Sequence, residues 1–462
     1  MKPNSISGKL KTIIANGPIQ LFCAIGIVTC FAGPSYASVP VSYSCLRNFY
    51  VNGTTGTDVA SAGSASSPWK TIQFANNSGV LRAGDCVNVA AGTYFQNGGL
   101  NLTAGGNANT ATGYVTYIGA PNLSTHIVGS SNWFLINIQA SYLIINGFDI
   151  DGTGIPDAAI CDNPSPGGIG HHIQILNNAV HDSGGGGILL NHTDYFTISG
   201  NVVYNTAGKS SYQESGISVY EPQPITGFTA QLPADLAPFH IVISNNIVYN
   251  NTETSAIAAP HSDGNGIITD DWLDTQNAPN KPYPYKGLVQ SNLVHDNGGR
   301  GIHVYLSANV TVANNTLSCN NQDTLDTGTW RGELSNAASN NVTWLNNIAW
   351  ACPNLASPEL QYNTAVLEGT YGNYSDANVV WKNNLTYDYT SGQASLNFNT
   401  PTGATEQSAF MAANKAGMNP QLSWWQPLSN SPVIKTGVAT PSYPPLSLDG
   451  SAMPTPPDIG AY

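Results

Sequence analysis

The most constraining feature of this chain is a recurring asparagine pair, set inside short apolar strands. It reads Ile175-Leu176-Asn177-Asn178, Ile243-Ser244-Asn245-Asn246, Val312-Ala313-Asn314-Asn315, Trp344-Leu345-Asn346-Asn347 and Trp381-Lys382-Asn383-Asn384. Two variants keep only the second asparagine, Ile198-Ser199-Gly200-Asn201 and Val289-Gln290-Ser291-Asn292. Second asparagines lie 23 residues apart from 178 to 201 and again from 292 to 315. From 201 to 246 and from 246 to 292 the spacings are 45 and 46, close to two units. From 315 to 347 and 347 to 384 they are 32 and 37. A basic unit of about 23 residues, swollen in places by insertions, describes a stack of similar coils. Such a unit cannot bury its apolar face alone, and stacking buries a continuous core. Asparagine suits the turns because it tolerates left-handed backbone, and its amide can hydrogen-bond up and down a stack.

A second element follows the pairs: Gly187-Ile188-Leu189-Leu190, Gly216-Ile217-Ser218-Val219, Gly266-Ile267-Ile268-Thr269 and Gly301-Ile302-His303-Val304. These are alternating strands introduced by a glycine. Strand, asparagine turn, strand, turn and strand together predict an all-β solenoid. The pattern resembles the right-handed parallel β-helix of pectate-lyase-like proteins over roughly residues 45 to 400. The expected organisation is a leader over 1–37, an N-terminal cap with first strands over 38–95, coils over 96–404, and a closing segment over 405–462. Phe49-Tyr50-Val51-Asn52-Gly53, Pro68-Trp69-Lys70-Thr71-Ile72 and Gly84-Asp85-Cys86-Val87 resemble the opening of secreted β-helix lyases. Asn419-Pro420-Gln421-Leu422, Ser431-Pro432-Val433-Ile434 and Asp458-Ile459-Gly460-Ala461-Tyr462 resemble their ending.

Lys2, Lys9 and Lys11, an apolar stretch from Ile19 to Ala32 and Ser35-Tyr36-Ala37 read as a secretory signal, so the protein is expected outside the cytoplasm. No later segment is apolar enough to span a bilayer. The net charge is −13, with only 9% charged residues. That balance argues against a nucleic-acid partner, which calls for a basic footprint. Without the leader, five cysteines remain. Cys319 and Cys352 follow their asparagine pairs at similar distances, placed to pair on adjacent coils. Cys45 and Cys86 flank the first strands, placed to staple that end, and Cys161 is left over. No Cys/His spacing resembles a zinc site.

Aligning the second strands on their glycines puts Asn191, Tyr220, Asp270 and Tyr305 in one column and Ser218, Ile268 and His303 in another. The Ile after each glycine points inward, so both columns point outward. Two insertions leave the coils beside them, Pro222 to Pro238 and Trp272 to Lys286, and are expected to wall a groove. The densest charge cluster lies here: His261, Asp263, Asp270, Asp271 and Asp274, with Glu221 one coil earlier. Crowded carboxylates call for a cation, and Ca²⁺ suits oxygen ligands. Asp270-Asp271-Trp272-Leu273-Asp274 resembles the calcium ligands of family 9-type polysaccharide lyases. Ser262-Asp263-Gly264-Asn265-Gly266 resembles the strand presenting their catalytic lysine. In those lyases the two motifs lie on different coils, whereas here they are merged, and the lysine position reads Ile268.

The function this resemblance implies is metal-assisted β-elimination on an acidic, uronate-containing polysaccharide. Asp263, Asp270, Asp271 and Glu221 would hold Ca²⁺, with Asp270 also in the reaction centre. Arg300 or His303 would act as base and Tyr305 as proton donor. Tyr220, Trp272, Arg331 and Lys286 would grip substrate, aromatic rings stacking on sugar faces. Two alternatives stand beside it. One is an inverting glycoside hydrolase resembling polygalacturonases, using Asp263 with Asp270 or Asp271. The other is a glycan-binding surface protein without catalysis. A capped solenoid is expected to be a monomer.

Overall fold

The computed structural model describes residues 42–130, 132–162, 170–209, 211–225, 239–254, 261–276, 281–326, 331–353, 364–439 and 446–462. The leader expected over 1–37 lies outside them.

Strands from successive coils pair in parallel and build three long sheets of 11, 11 and 10 strands, the right-handed parallel β-helix expected. The first sheet runs from Arg47–Val51 to Val380–Lys382, the second from Gly92–Asn97 to Lys415–Ala416, and the third from Leu100–Leu102 to Leu396–Asn399. A regular coil visits the sheets in that order. The asparagine pairs turn the chain from the first sheet to the second.

The two positions of each pair do different work. The first residue takes the left-handed region: Asn177, Asn245, Asn314, Asn346 and Asn383 have φ between 54° and 57°, and Gly200 and Ser291 follow suit at 70° and 55°. The second residue is buried and forms a ladder. Each amide Nδ2 donates to the next Oδ1, from Asn178 through Asn201, Asn246, Asn292, Asn315, Asn347 and Asn384 to Asn414, at 2.8–3.0 Å. The same Oδ1 accepts the preceding backbone N–H, so a buried turn keeps no orphaned donor there. A second, shorter ladder, Asn251 to Asn297 to Asn320, ends on Glu333 at the corner between the second and third sheets.

The core is a set of apolar columns. Ile188, Ile217, Ile267 and Ile302 stand in register and are fully buried. Each contributes about 1.5–3 kcal/mol by leaving water. At the N-terminal end, Trp69 stacks on Phe49 with ring centroids 5.2 Å apart. The short helix Ile72–Asn77, capped by Thr71, turns Ile72 and Ala75 onto the first coil. At the other end, helix Gly403–Ala413 sets Phe410 against Trp381 and Phe398.

The tail beyond it returns along the asparagine corner. Nδ2 of Asn383, Asn346, Asn314 and Asn245 donates to the carbonyls of Thr436, Val438, Asp458 and Ser447. The left-handed asparagines thus hold the tail as well as the turn. Disulfides join Cys45 to Cys86 and Cys319 to Cys352, with Cα atoms 5.4 and 4.6 Å apart. Cys161 is a buried free thiol.

Candidate active site

The outer face of the third sheet carries the site. Strand pairing brings Asn191, Tyr220, Asp270 and Tyr305 into one row and Leu189, Ser218, Ile268, His303 and Ser335 into the next. Both columns follow the alignment on the glycines, because each glycine sits at the same corner of its coil. A cleft of about 690 Å³ lies over them. Its floor includes Ser218, Tyr220, Ile268, Asp270, His303 and Tyr305.

The walls differ from expectation. They come chiefly from the segments preceding the third-sheet strands: Trp133 and Phe134, Asp157, Tyr212 to Glu214, Ser262 and Asp263, and Arg300. Tyr371 closes the far side. Most of the first expected insertion lies outside the described residues. The second insertion turns away. After Asp271, whose φ is +49°, Trp272 folds inward, fully buried, and its Nε1 donates to the Val219 carbonyl at 3.2 Å. A Cβ at Gly287 would collide with its indole, so that glycine makes its berth. Tyr283 packs edge-on against Trp272, and Tyr285 stacks on His240. Among the described residues of this insertion only Gln276 lines the cleft, its side-chain amide donating to Asp270 at 3.2 Å. Trp272 is therefore core rather than a sugar platform.

Three further assignments are corrected. Arg331 is buried and outside the cleft; its Nη2 donates to the Asp323 carbonyl at 3.2 Å and lies 3.8 Å from Asp326. Lys286 is exposed at the start of a first-sheet strand, around the corner from the cleft. The four carboxylates read as a calcium set do not converge. Asp263 and Asp270 line the cleft, whereas Glu221 and Asp271 do not, and among the described residues no three of the four bring ligand atoms together as a metal site would. Glu221 meets His192 at 3.2 Å. The Asp271 carboxylate is taken up by the N–H groups of Thr275 and Gln276 and the Thr275 hydroxyl. These residues do not fit one ion.

What remains is a compact acid–base constellation. Burial, then the charges of Asp263 and Asp271, hold the Asp270 carboxyl well above the usual range, while Gln276 pulls it back. Burial lifts Asp263 to about 6 against the opposing pull of Arg300 and a 2.7 Å hydrogen bond from Asn265. The buried Arg300 lies 3.2 Å from Asp326 and donates to the Ser262 carbonyl, so it pins the segment that presents Asp263. His303 is 3% exposed, and its Nδ1 has no hydrogen-bond partner. Burial and Arg300 press its pKa far down, so the imidazole is neutral. Its ring lies 5.5 Å from that of Tyr305.

Sequence reading missed Trp133, Tyr371, Asp157 and Glu214. Trp133, Tyr212 and Tyr371 are 49%, 65% and 45% exposed, large for aromatics in a well-packed molecule, and they border the cleft at both ends. Asp157 and Glu214 were legible in principle: each stands three residues before an inward isoleucine, Ile160 and Ile217. Gly185 holds the same place between them, where a Cβ would collide with the Glu214 carboxylate and the Asp157 backbone.

No protein-family profile matches the chain, and neither does any curated protein. Solved structures do. The chain is similar to pectate lyase Pel9A, at 14% identity over 91% of this chain and 97% of that one, with a TM-score of 0.42. It is also similar to a GH136 lacto-N-biosidase from Eubacterium ramulus, at 12% identity over 76% and 65%, with a TM-score of 0.43. A rhamnogalacturonan lyase matches at 12% identity over 72% and 84%, with a TM-score of 0.40. The chain spans 65% of the biosidase's length. At these identities and scores the likeness is one of coil architecture.

Proposed function

We propose that this cleft binds an uncharged glycan and hydrolyses a glycosidic bond. Asp270 acts as the general acid and Asp263 as the partner carboxylate. The observation that carries this reading is the placement of two carboxyls on one cleft, Asp270 on its floor and Asp263 on its wall, between exposed aromatic rings at either end. Glycoside hydrolysis asks for such a pair, one protonated and one ionised. Asp270, surrounded by carboxylates, keeps its proton for the leaving oxygen. Asp263, beside Arg300, carries the charge. Trp133 and Tyr212 at one end and Tyr371 at the other offer apolar faces to sugar rings.

Charge favours hydrolysis over elimination. Asp157, Glu214, Asp263 and Asp270 line the cleft, and Arg300 is the one Lys or Arg among the lining residues. Its guanidinium already faces Asp326. A polyuronate would meet net negative charge, whereas a neutral chain would not.

The test is a panel of neutral glycans and polyuronates, read for both reducing ends and ultraviolet absorbance of unsaturated product. New reducing ends without absorbance are expected, from a neutral substrate. Unsaturated product from a polyuronate would establish elimination instead. Full activity in both Asp263→Asn and Asp270→Asn would remove the two carboxyls from the reaction.

A further inference from the structure

The corner between the second and third sheets holds a second cluster, outside the cleft lining. Glu253, His261 and Asp323 are each buried, and one ligand atom from each lies within 4.8 Å of the others. They arrive from two coils: Glu253 and His261 precede strand Ile267–Asp270, and Asp323 follows strand Thr316–Ser318. Two features set the cluster apart from an ordinary hydrogen-bonded corner.

The first is an orphaned oxygen. Glu253 is 1% exposed, and its Oε2 accepts the N–H groups of Ser262 and Asp263 at 2.8 and 3.0 Å. Its Oε1 is buried with no hydrogen-bond partner. A buried carboxylate oxygen left this way costs about 1–3 kcal/mol or more. The second is that no permanent cation sits beside the two carboxyls among the described residues. Among the described residues no Lys or Arg lies within ion-pair distance of Glu253 or Asp323. The imidazole of His261 has its Nδ1 2.5 Å from Asp323 Oδ2, and among the described residues it is the ionisable side chain paired with that carboxylate. Two buried carboxylates beside one imidazole call for a cation.

We infer that Glu253, His261 and Asp323 bind one divalent transition-metal ion, of the Zn²⁺ or Mn²⁺ class. The mixed nitrogen and oxygen donors select that class over Ca²⁺, which takes oxygen alone. Three protein ligands leave room for water. The ion would fix the segment from His261 to Asp263, whose N–H groups Glu253 already holds. It is thus a positioning site behind the cleft, and its existence does not depend on the reaction proposed above.

The experiment uses the full-length protein, stripped with a chelator and titrated with Zn²⁺, Mn²⁺ and Ca²⁺ by calorimetry. One equivalent of Zn²⁺ or Mn²⁺ is expected to bind. Glu253→Gln and Asp323→Asn should each weaken it at least tenfold with an unchanged circular-dichroism spectrum. His181→Ala, at the separate group of Asp151, His181 and Asp182, should leave it unchanged. Because a buried variant can fail to fold, anomalous scattering from wild-type crystals grown with Zn²⁺ provides an independent reading. A peak between Glu253, His261 and Asp323 supports the site. Absence of bound ion, a peak elsewhere, or binding of Ca²⁺ alone overturns it.

Discussion

Two outward columns of this helix use similar residues and come to opposite ends. On the second sheet, His181, Tyr204, Tyr249 and His295 stand in register. Their rings stack face to face at 4.8, 5.1 and 5.0 Å, and Trp425 from the tail closes the pile at 4.0 Å. On the third sheet, the corresponding row reads Asn191, Tyr220, Asp270 and Tyr305. Parallel strands lie about 4.8 Å apart, close to the distance at which flat rings meet. A column of like rings therefore satisfies itself. A carboxylate set between two tyrosines breaks the pile, and this row lies on the floor of the cleft. Regular columns give stability; the interrupted one lines the cleft.

The largest expected effect tests the interrupted column. Asp270→Asn should lower kcat by about 10²–10⁴-fold with an unchanged thermal midpoint. Since the active acid is the protonated form, wild-type activity should fall as pH rises through its raised pKa. An unchanged rate in the variant would take Asp270 out of the chemistry.

Next comes the buried ladder. Asn292→Ala removes the acceptor for both the side chain and backbone of Asn246. A loss of about 2–4 kcal/mol is expected in denaturant unfolding, from two stranded donors. A loss under 0.5 kcal/mol would mean the ladder merely decorates the turns.

The two columns can then be set against each other directly. Tyr249→Ala interrupts two ring contacts and should cost about 1–3 kcal/mol while kcat/KM holds. Tyr371→Ala, at the cleft edge, should leave stability within about 0.5 kcal/mol and raise KM several-fold. Swapped outcomes would dissolve the contrast.

The smallest effect concerns His181, at the foot of the regular pile. Burial opposes its charge, but hydrogen bonds to Asp149 and Asp182 outweigh that and raise its pKa to about 9. A raised histidine stabilises the fold fully below its unfolded value near 6.5, and the contribution is lost as pH climbs through 9. NMR titration of the ring should show a midpoint near pH 9, and His181→Ala should flatten the fall in thermal midpoint across that window.

The coil, its asparagine turns and the row containing Tyr220, Asp270 and Tyr305 were all legible in the chain before any coordinates. Parallel stacking makes this so: a residue's place depends only on its distance from the coil's glycine, and that distance can be counted. The same counting from the inward isoleucines would have reached Asp157 and Glu214. It could not reach Trp272, Arg331, Lys286 or Asp271, which lie in or beside insertions and corners where no repeat carries the register. There, burial and hydrogen-bond satisfaction chose: an indole over Gly287, a guanidinium beside Asp326, a carboxylate wrapped by Thr275 and Gln276. Nor could it bring together Glu253, His261 and Asp323, since Asp323 lies 62 residues beyond His261. Periodicity alone thus determined the scaffold and one face of the cleft. The three-dimensional packing of the irregular segments decided which polar groups face that cleft, because only there is each buried donor, acceptor and charge assigned its partner.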